Sequence, residues 1–257
     1  MLGFFDSGLG GLTVLREVRR MLPELDLMYL ADQAHVPYGD RTPENLQELF
    51  ASNMRFLNDA GVSAVIMACN TTCAIGNTYG WPSSAAPIID LIESAVIAVR
   101  ASGAQRVAIL ATAATVRSGA YSAVIARTAP DIEVIEVAAP ALVPLVEAGE
   151  LEGDAPRTAV AAACAAFRGD VDAVVYACSH YPLLDKHFAA VLGRGVLRLD
   201  PATAQAARAA ALAREAAWRG GGAVQYFTTG DVDAFAAAAT DIVGAIPGAT
   251  FASFALT

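Results

Sequence analysis

Short apolar runs recur along the chain, each followed by a turn and then by apolar positions at helical spacing. The clearest are 2-LGFF, 27-LMYL, 62-VSAVIM, 107-VAIL, 132-IEVIEV, 171-VDAVVY and 196-VLRL. Most are continuously apolar rather than alternating, which suits parallel strands covered on both faces. Between them, 43-PENLQELFASNMRFLNDAG has Pro near its start and Gly after its end, the punctuation of an amphipathic helix. This alternation predicts an α/β fold with crossover helices. The segment 224-VQYFTTGDVDAFAAAA reads as a strand, a polar turn and a helix that return to the first half of the molecule.

Two of the runs resemble one another beyond their hydrophobicity. In 62-VSAVIMACN and 171-VDAVVYACS an apolar strand ends in Ala-Cys and a small polar residue, which sets Cys69 and Cys178 109 residues apart. Two weaker pairs, 2-LGFFDS with 107-VAILAT and 27-LMYLAD with 134-VIEVAA, recur in the same order at offsets of 105 and 107. The pattern predicts two similar, pseudo-symmetric α/β domains with mainly parallel sheets. The first takes residues 1–91 plus 203–257 and the second 92–202, with the active site in the interdomain cleft. Ligands of open α/β sheets bind beyond the carboxyl ends of the strands. Asp6, Cys69, Thr112 and Cys178 all stand at such ends.

Composition narrows the function classes. With 55% hydrophobic residues in 257, a large core is expected, although much of the fraction is alanine, as in 159-AVAAACAAF and 206-AARAAALAREAA. Seventeen basic against 26 acidic residues, a net charge of −9, argue against a nucleic-acid partner, and no basic run suggests a membrane surface. No stretch has 18 uninterrupted apolar residues, and the N-terminal segment lacks the pattern of a secretory signal. Four scattered cysteines, at 69, 73, 164 and 178, do not form a disulfide framework and fit a reducing cytoplasm.

The chemistry-bearing positions follow from the repeat. Cys69, in 68-ACNTTCA, stands at a predicted helix start, where backbone N–H groups and the helix dipole favour thiolate. Asn70 and Thr71 beside it are donors for a substrate carboxylate or amine. An isolated cysteine is usually structural, and Cys73 and Cys164 are read that way. The recurrence of strand, Ala and Cys in both halves favours chemistry for Cys69 and Cys178. Ser179 follows Cys178 as a polar donor, and His180 is placed to shuttle a proton. In 6-DSGLGG, Asp6 suits a helix cap as well as an acid–base role, and the glycines allow close backbone approach. The loop lacks the third glycine of a dinucleotide fingerprint and any Gly-Lys-Ser/Thr, so nucleotide binding is disfavoured. By itself, Glu147 reads as a solvated helix carboxylate, and 36-VPYGDR as an ordinary turn.

Taken together, 4-FFDSGLGGLTVLRE, 36-VPYGDRTPE, 67-MACNTT, 111-ATAATVRSGAY, 142-LVPLVEAGE, 177-ACSHYPLL and 226-YFTTGD resemble the aspartate/glutamate racemase superfamily, its glutamate racemases in particular. The resemblance implies racemisation of glutamate without cofactor or metal, supplying D-glutamate for peptidoglycan and hence for cell-wall biogenesis and cell shape. It implies Cys69 and Cys178 as the acid–base pair, with Asp6 assisting Cys69, and His180 and Glu147 assisting Cys178. Substrate binding would fall to Asp6, Ser7, Pro37, Tyr38, Gly39, Asn70, Thr71, Thr112, Thr115, Ser179 and His180. The implied partner is a small amino acid rather than a nucleic acid or a membrane, and a homodimer is left open. The chain departs from the family pattern at Ala177 and Ser179, at Thr72 and Cys73, and in 88-IIDLIESA. Racemisation of aspartate or another amino acid is the near alternative, and a lyase or other isomerase on the same fold the next. A metal-binding or regulatory protein, with Cys69, Cys73, Cys178 and His180 as nominal ligands, matches no common zinc spacing.

Overall fold

A computed structural model describes residues 1–167 and 169–255. Among these residues, ten strands form two separate, wholly parallel sheets. The first holds β1 (Leu2–Asp6), β2 (Leu27–Ala31), β3 (Ala64–Met67), β4 (Ile88–Asp90), β9 (Val224–Thr228) and β10 (Thr250–Ser253), in the order β10-β9-β2-β1-β3-β4. The second holds β5 (Arg106–Ala111), β6 (Glu133–Ala138), β7 (Ala173–Ala177) and β8 (Leu197–Leu199), in the order β6-β5-β7-β8. The order β2-β1-β3-β4 recurs as β6-β5-β7-β8, so the repeated sequence units occupy equivalent places in their sheets. The segment at 224 does return to the first sheet, where β9 pairs with β2.

Eleven α-helices connect the strands among the described residues. They are α1 (Leu12–Met21), α2 (Pro43–Asp59), α3 (Asn70–Tyr79), α4 (Leu91–Ser102), α5 (Ala113–Ser118), α6 (Ala120–Thr128), α7 (Leu142–Glu147), α8 (Asp154–Cys164), α9 (Asp185–Leu192), α10 (Pro201–Glu215) and α11 (Val232–Val243). Local sequence explains their starts: Thr42 caps α2 through the N–H of Asn45 with Pro43 behind it, and Asp200 caps α10 through Ala202. None of them is long and apolar enough to cross a membrane. Strands β1, β2, β3 and β7 are buried along their whole length, which is why they read as continuous apolar runs. The apolar runs do not single out β4 and β10, which are three and four residues long.

The alanine-rich α10 packs against α1 and α4, small side chains letting the helices approach closely. From it the fully buried Gln205 donates through Nε2 to the carbonyls of Met67 at 2.9 Å and Ile89 at 2.8 Å. One amide thereby ties the ends of β3 and β4, just below the turn that carries Cys69. Replacing it with Leu leaves both carbonyls short of a donor, at a cost of about 2–4 kcal/mol. The urea midpoint of Gln205→Leu should fall accordingly, and an unchanged midpoint would show that the tie is dispensable.

Candidate active site

Cys69 leaves the end of β3 and occupies the N-cap position of α3, while Cys178 directly follows β7. Both sulfur-bearing residues are almost covered, 3% and 4% exposed, and both line one cavity of about 450 Å³ between the sheets, its open mouth included. Ser7, Pro37, Tyr38, Gly39, Asn70, Thr71, Thr112, Ser179 and His180 line it too. Asp6, Glu147 and Thr115 stand behind this lining, each tied to a residue that faces the cavity. Cys73 and Cys164 are fully buried elsewhere, and Cys73 Sγ donates to the Met67 carbonyl.

The second-sheet side carries a hydrogen-bonded relay. His180 Nδ1 lies 3.7 Å from Cys178 Sγ, and its Nε2 lies 2.5 Å from Glu147 Oε1. Burial alone would lower the imidazole pKa. The bonds to Cys178 and Glu147 outweigh it and raise His180 well above the usual histidine range. Burial likewise opposes ionisation of Glu147, but the His180 bond and charge hold that carboxyl below its ordinary value. Both shifts favour the ionised pair, imidazolium and carboxylate. Glu147 is not the solvated helix carboxylate that its local sequence suggests, because α7 turns it inward, where Oε1 also accepts the N–H of Leu9 at 3.0 Å.

The first-sheet side is built differently. Burial, with the Asp6 charge adding to it, pushes the Cys69 thiol up to about 11. The helix start does not deliver the lowered pKa expected of it, because desolvation exceeds what the N-terminal donors return. Asp6 is itself wholly buried and raised above the usual carboxylate range by desolvation, with His180 and the N–H of Gly8 pulling the other way. It is not the N-cap residue of a helix: Oδ1 accepts from Gly8 at 2.8 Å, and Oδ2 from Ser179 Oγ at 2.9 Å across the cleft. Cys69 Sγ faces Ser7 Oγ at 3.7 Å.

Further bonds join the two sheets around the cavity. Thr71 Oγ1 and Thr112 Oγ1 are 2.9 Å apart, and Thr112 bonds in turn to Thr115. Arg117 of α5 donates to the Gly39 carbonyl. Gly10 has no room for a side chain, since a Cβ there would lie 2.6 Å from His180 Nδ1 and 2.7 Å from its backbone N. The sequence reading missed Asp32, which holds Tyr38 over the cavity by accepting its hydroxyl at 2.5 Å while also accepting from Thr229. Its signal was a strand-end carboxylate after β2, the same as for Asp6. Also missed was Tyr121, whose hydroxyl donates to Asn70 Oδ1 at 2.5 Å.

Chemically, the cavity sets two thiols, one from each sheet, around a space for a small polar molecule. Hydroxyls and the N–H groups opening α3 supply its donors, and no Lys or Arg is among the lining residues. Residues 11–209 match the family model described as Asp/Glu/Hydantoin racemase. The chain is 43% identical to a glutamate racemase of Synechococcus sp. (strain CC9605), over 79% of this chain and 76% of the relative. It is 38% identical to the glutamate racemase of Desulforudis audaxviator (strain MP104C), over 96% of this chain and 94% of that one. The fold superposes with a TM-score of 0.90 and 27% identity on glutamate racemase from Francisella tularensis subsp. tularensis SCHU S4 in complex with D-glutamate, covering 99% and 97% of the two chains.

Proposed function

This chain belongs to the Asp/Glu/Hydantoin racemase family, and on that footing we propose that it interconverts L- and D-glutamate through a proton exchange between Cys69 and Cys178. The observation that carries the reading is that these two cysteines, at equivalent places in the two sheets, line the same cavity. Glutamate rather than another amino acid is supported by the named activity of the two relatives, which match most of the chain.

In this mechanism one sulfur enters as thiolate and the other as thiol. The thiolate takes the Cα proton from one face of the bound amino acid, and the thiol delivers its own proton to the opposite face. Turnover exchanges the protonation states, leaving the enzyme ready for the other enantiomer. Two bases on opposite sides spare the substrate any reorientation, so the reacting atoms stay in place. The charge that develops as the proton leaves is received by fixed donors, the N–H groups that open α3 and the hydroxyls of Ser7, Thr71 and Thr112. His180 and Glu147 serve Cys178, holding a proton and a compensating charge beside its sulfur. Asp6 and Ser7 serve Cys69. Thr115 acts through Thr112, and Pro37, Tyr38 and Gly39 close the cavity from the loop after β2. The units meeting at the cavity are residues 1–91 with 203–257, and residues 92–202.

The product, D-glutamate, would supply peptidoglycan synthesis in the cytoplasm. A chiral assay of the purified chain against glutamate, aspartate and a small amino-acid panel tests the substrate. Glutamate should be racemised with kcat/KM at least about tenfold above any competitor, the discrimination expected when one methylene decides the fit. Preferred turnover of aspartate would overturn the assignment.

A further inference from the structure

Because Cys69 is the N-cap residue of α3, Thr72 is the third residue of that helix. The N–H at this position is one that an N-cap side chain normally accepts from. A neutral thiol is a poor acceptor, and Cys69 makes no cap bond in the resting protein. Thr72 is buried, and its Oγ1 has no hydrogen-bond partner, an arrangement that is uncommon in interiors and calls for a physical reason. Both the hydroxyl and the N–H of Thr72 bear on the Cys69 sulfur and favour its ionised form, against burial and Asp6.

We propose that Thr72 is a further catalytic residue, whose hydroxyl and N–H receive the negative charge on Cys69 Sγ whenever that sulfur becomes a thiolate. When the Sγ–H bond breaks and the proton goes to Cα or to solvent, the electron pair stays on sulfur. The Thr72 hydroxyl then turns to donate to it, while the N–H completes the cap. When Sγ takes a proton from Cα, both bonds lapse. Interactions made in only one protonation state act on the rate rather than on resting stability.

Apart from Ser7, the other groups facing the sulfur cannot take this part. Asp6 at the end of β1 opposes the charge. Tyr29 on β2 commits its hydroxyl to the Gly8 carbonyl, Tyr38 to Asp32, and Cys73 on α3 donates to Met67. Cys178 is the partner sulfur across the cavity. Ser7, its Oγ 3.7 Å from the sulfur, is the hydroxyl that shares the part with Thr72.

The inference rests on the racemase reading for its consequence, but it is testable without substrate. Iodoacetamide alkylation of Cys69 at mildly alkaline pH, followed on its peptide by mass spectrometry, reports the thiolate fraction. Thr72→Val and Thr72→Ala, which remove the donor, should slow it about tenfold, the equivalent of one pKa unit. Thr72→Ser should stay within about twofold of the parent rate, since it keeps the hydroxyl. The pH profile of alkylation should move upward in Val and Ala alone, with racemisation falling in parallel. Unchanged Cys69 alkylation in both Val and Ala would overturn the proposal even if racemisation fell. Slowed alkylation in a chain that does not racemise glutamate would uphold the thiolate donor and sink the substrate reading instead.

Discussion

Cys69→Ser and Cys178→Ser should each lower racemisation of glutamate by about 10³-fold or more, the upper part of the range for loss of a positioned acid–base group. Serine fills nearly the same space, so both variants should fold and still bind the substrate, seen as a thermal shift with glutamate. What serine cannot do is carry the negative charge, because a hydroxyl is a far weaker acid than a thiol. Burial sharpens the effect, since the site that already pushes the Cys69 thiol up to about 11 would penalise an alkoxide more. The two losses should be similar, as each turnover needs both sulfurs. Cys164→Ala, deep in the core of the second sheet, should leave the rate within a few-fold. If either serine variant kept more than about a tenth of the activity, a second base would be unnecessary and the mechanism would fail.

The next largest effect is expected at Glu147. In Glu147→Gln the amide still reaches His180 but no longer carries the charge that helps the Cys178 bond to outweigh burial of the imidazole. With the Cys178 bond left to oppose desolvation without that charge, His180 should give up its proton at a lower pH than in the parent, where both partners raise it. Losing this charge beside Cys178 should lower kcat by about 10–100-fold. The sign of the pH dependence follows: the parent keeps its imidazolium through and above the ordinary histidine range. The variant loses it at lower pH, so its activity should decline as pH rises where the parent's does not. Histidine ¹⁵N shifts test the premise directly, since the variant's ring should lose its second proton at a lower pH than the parent's. A parent His180 that titrates near the ordinary histidine value would contradict the relay.

How far the sequence carried this account depends on how local each signal was. Strands β1, β3, β5 and β7 were legible because burial on both faces leaves an uninterrupted apolar run. The equivalence of Cys69 and Cys178 was legible because strand, Ala and Cys recur together. A helix start after Cys69 was also visible, but its consequence was misjudged: spacing shows which residue precedes a helix, not how deeply the fold buries it. Glu147 failed for the same reason, since nothing in 142-LVPLVEAGE reveals an imidazole 33 residues away. The bond from Ser179 to Asp6 spans 173 residues, and the orphaned Thr72 hydroxyl exists only once α3 is packed. Short edge strands such as β4 and β10 bury too little to leave a hydrophobic signature.

The central claim is that two sulfurs on opposite sides of one substrate exchange its Cα proton with solvent. The most direct measurement is turnover of L-glutamate by the purified chain in D₂O without added cofactor. The D-glutamate formed should carry deuterium at Cα, because it is protonated by a second, solvent-equilibrated thiol. D-glutamate that retains the original hydrogen from its first turnover onward would mean that a single group carries the proton across, and would contradict the account.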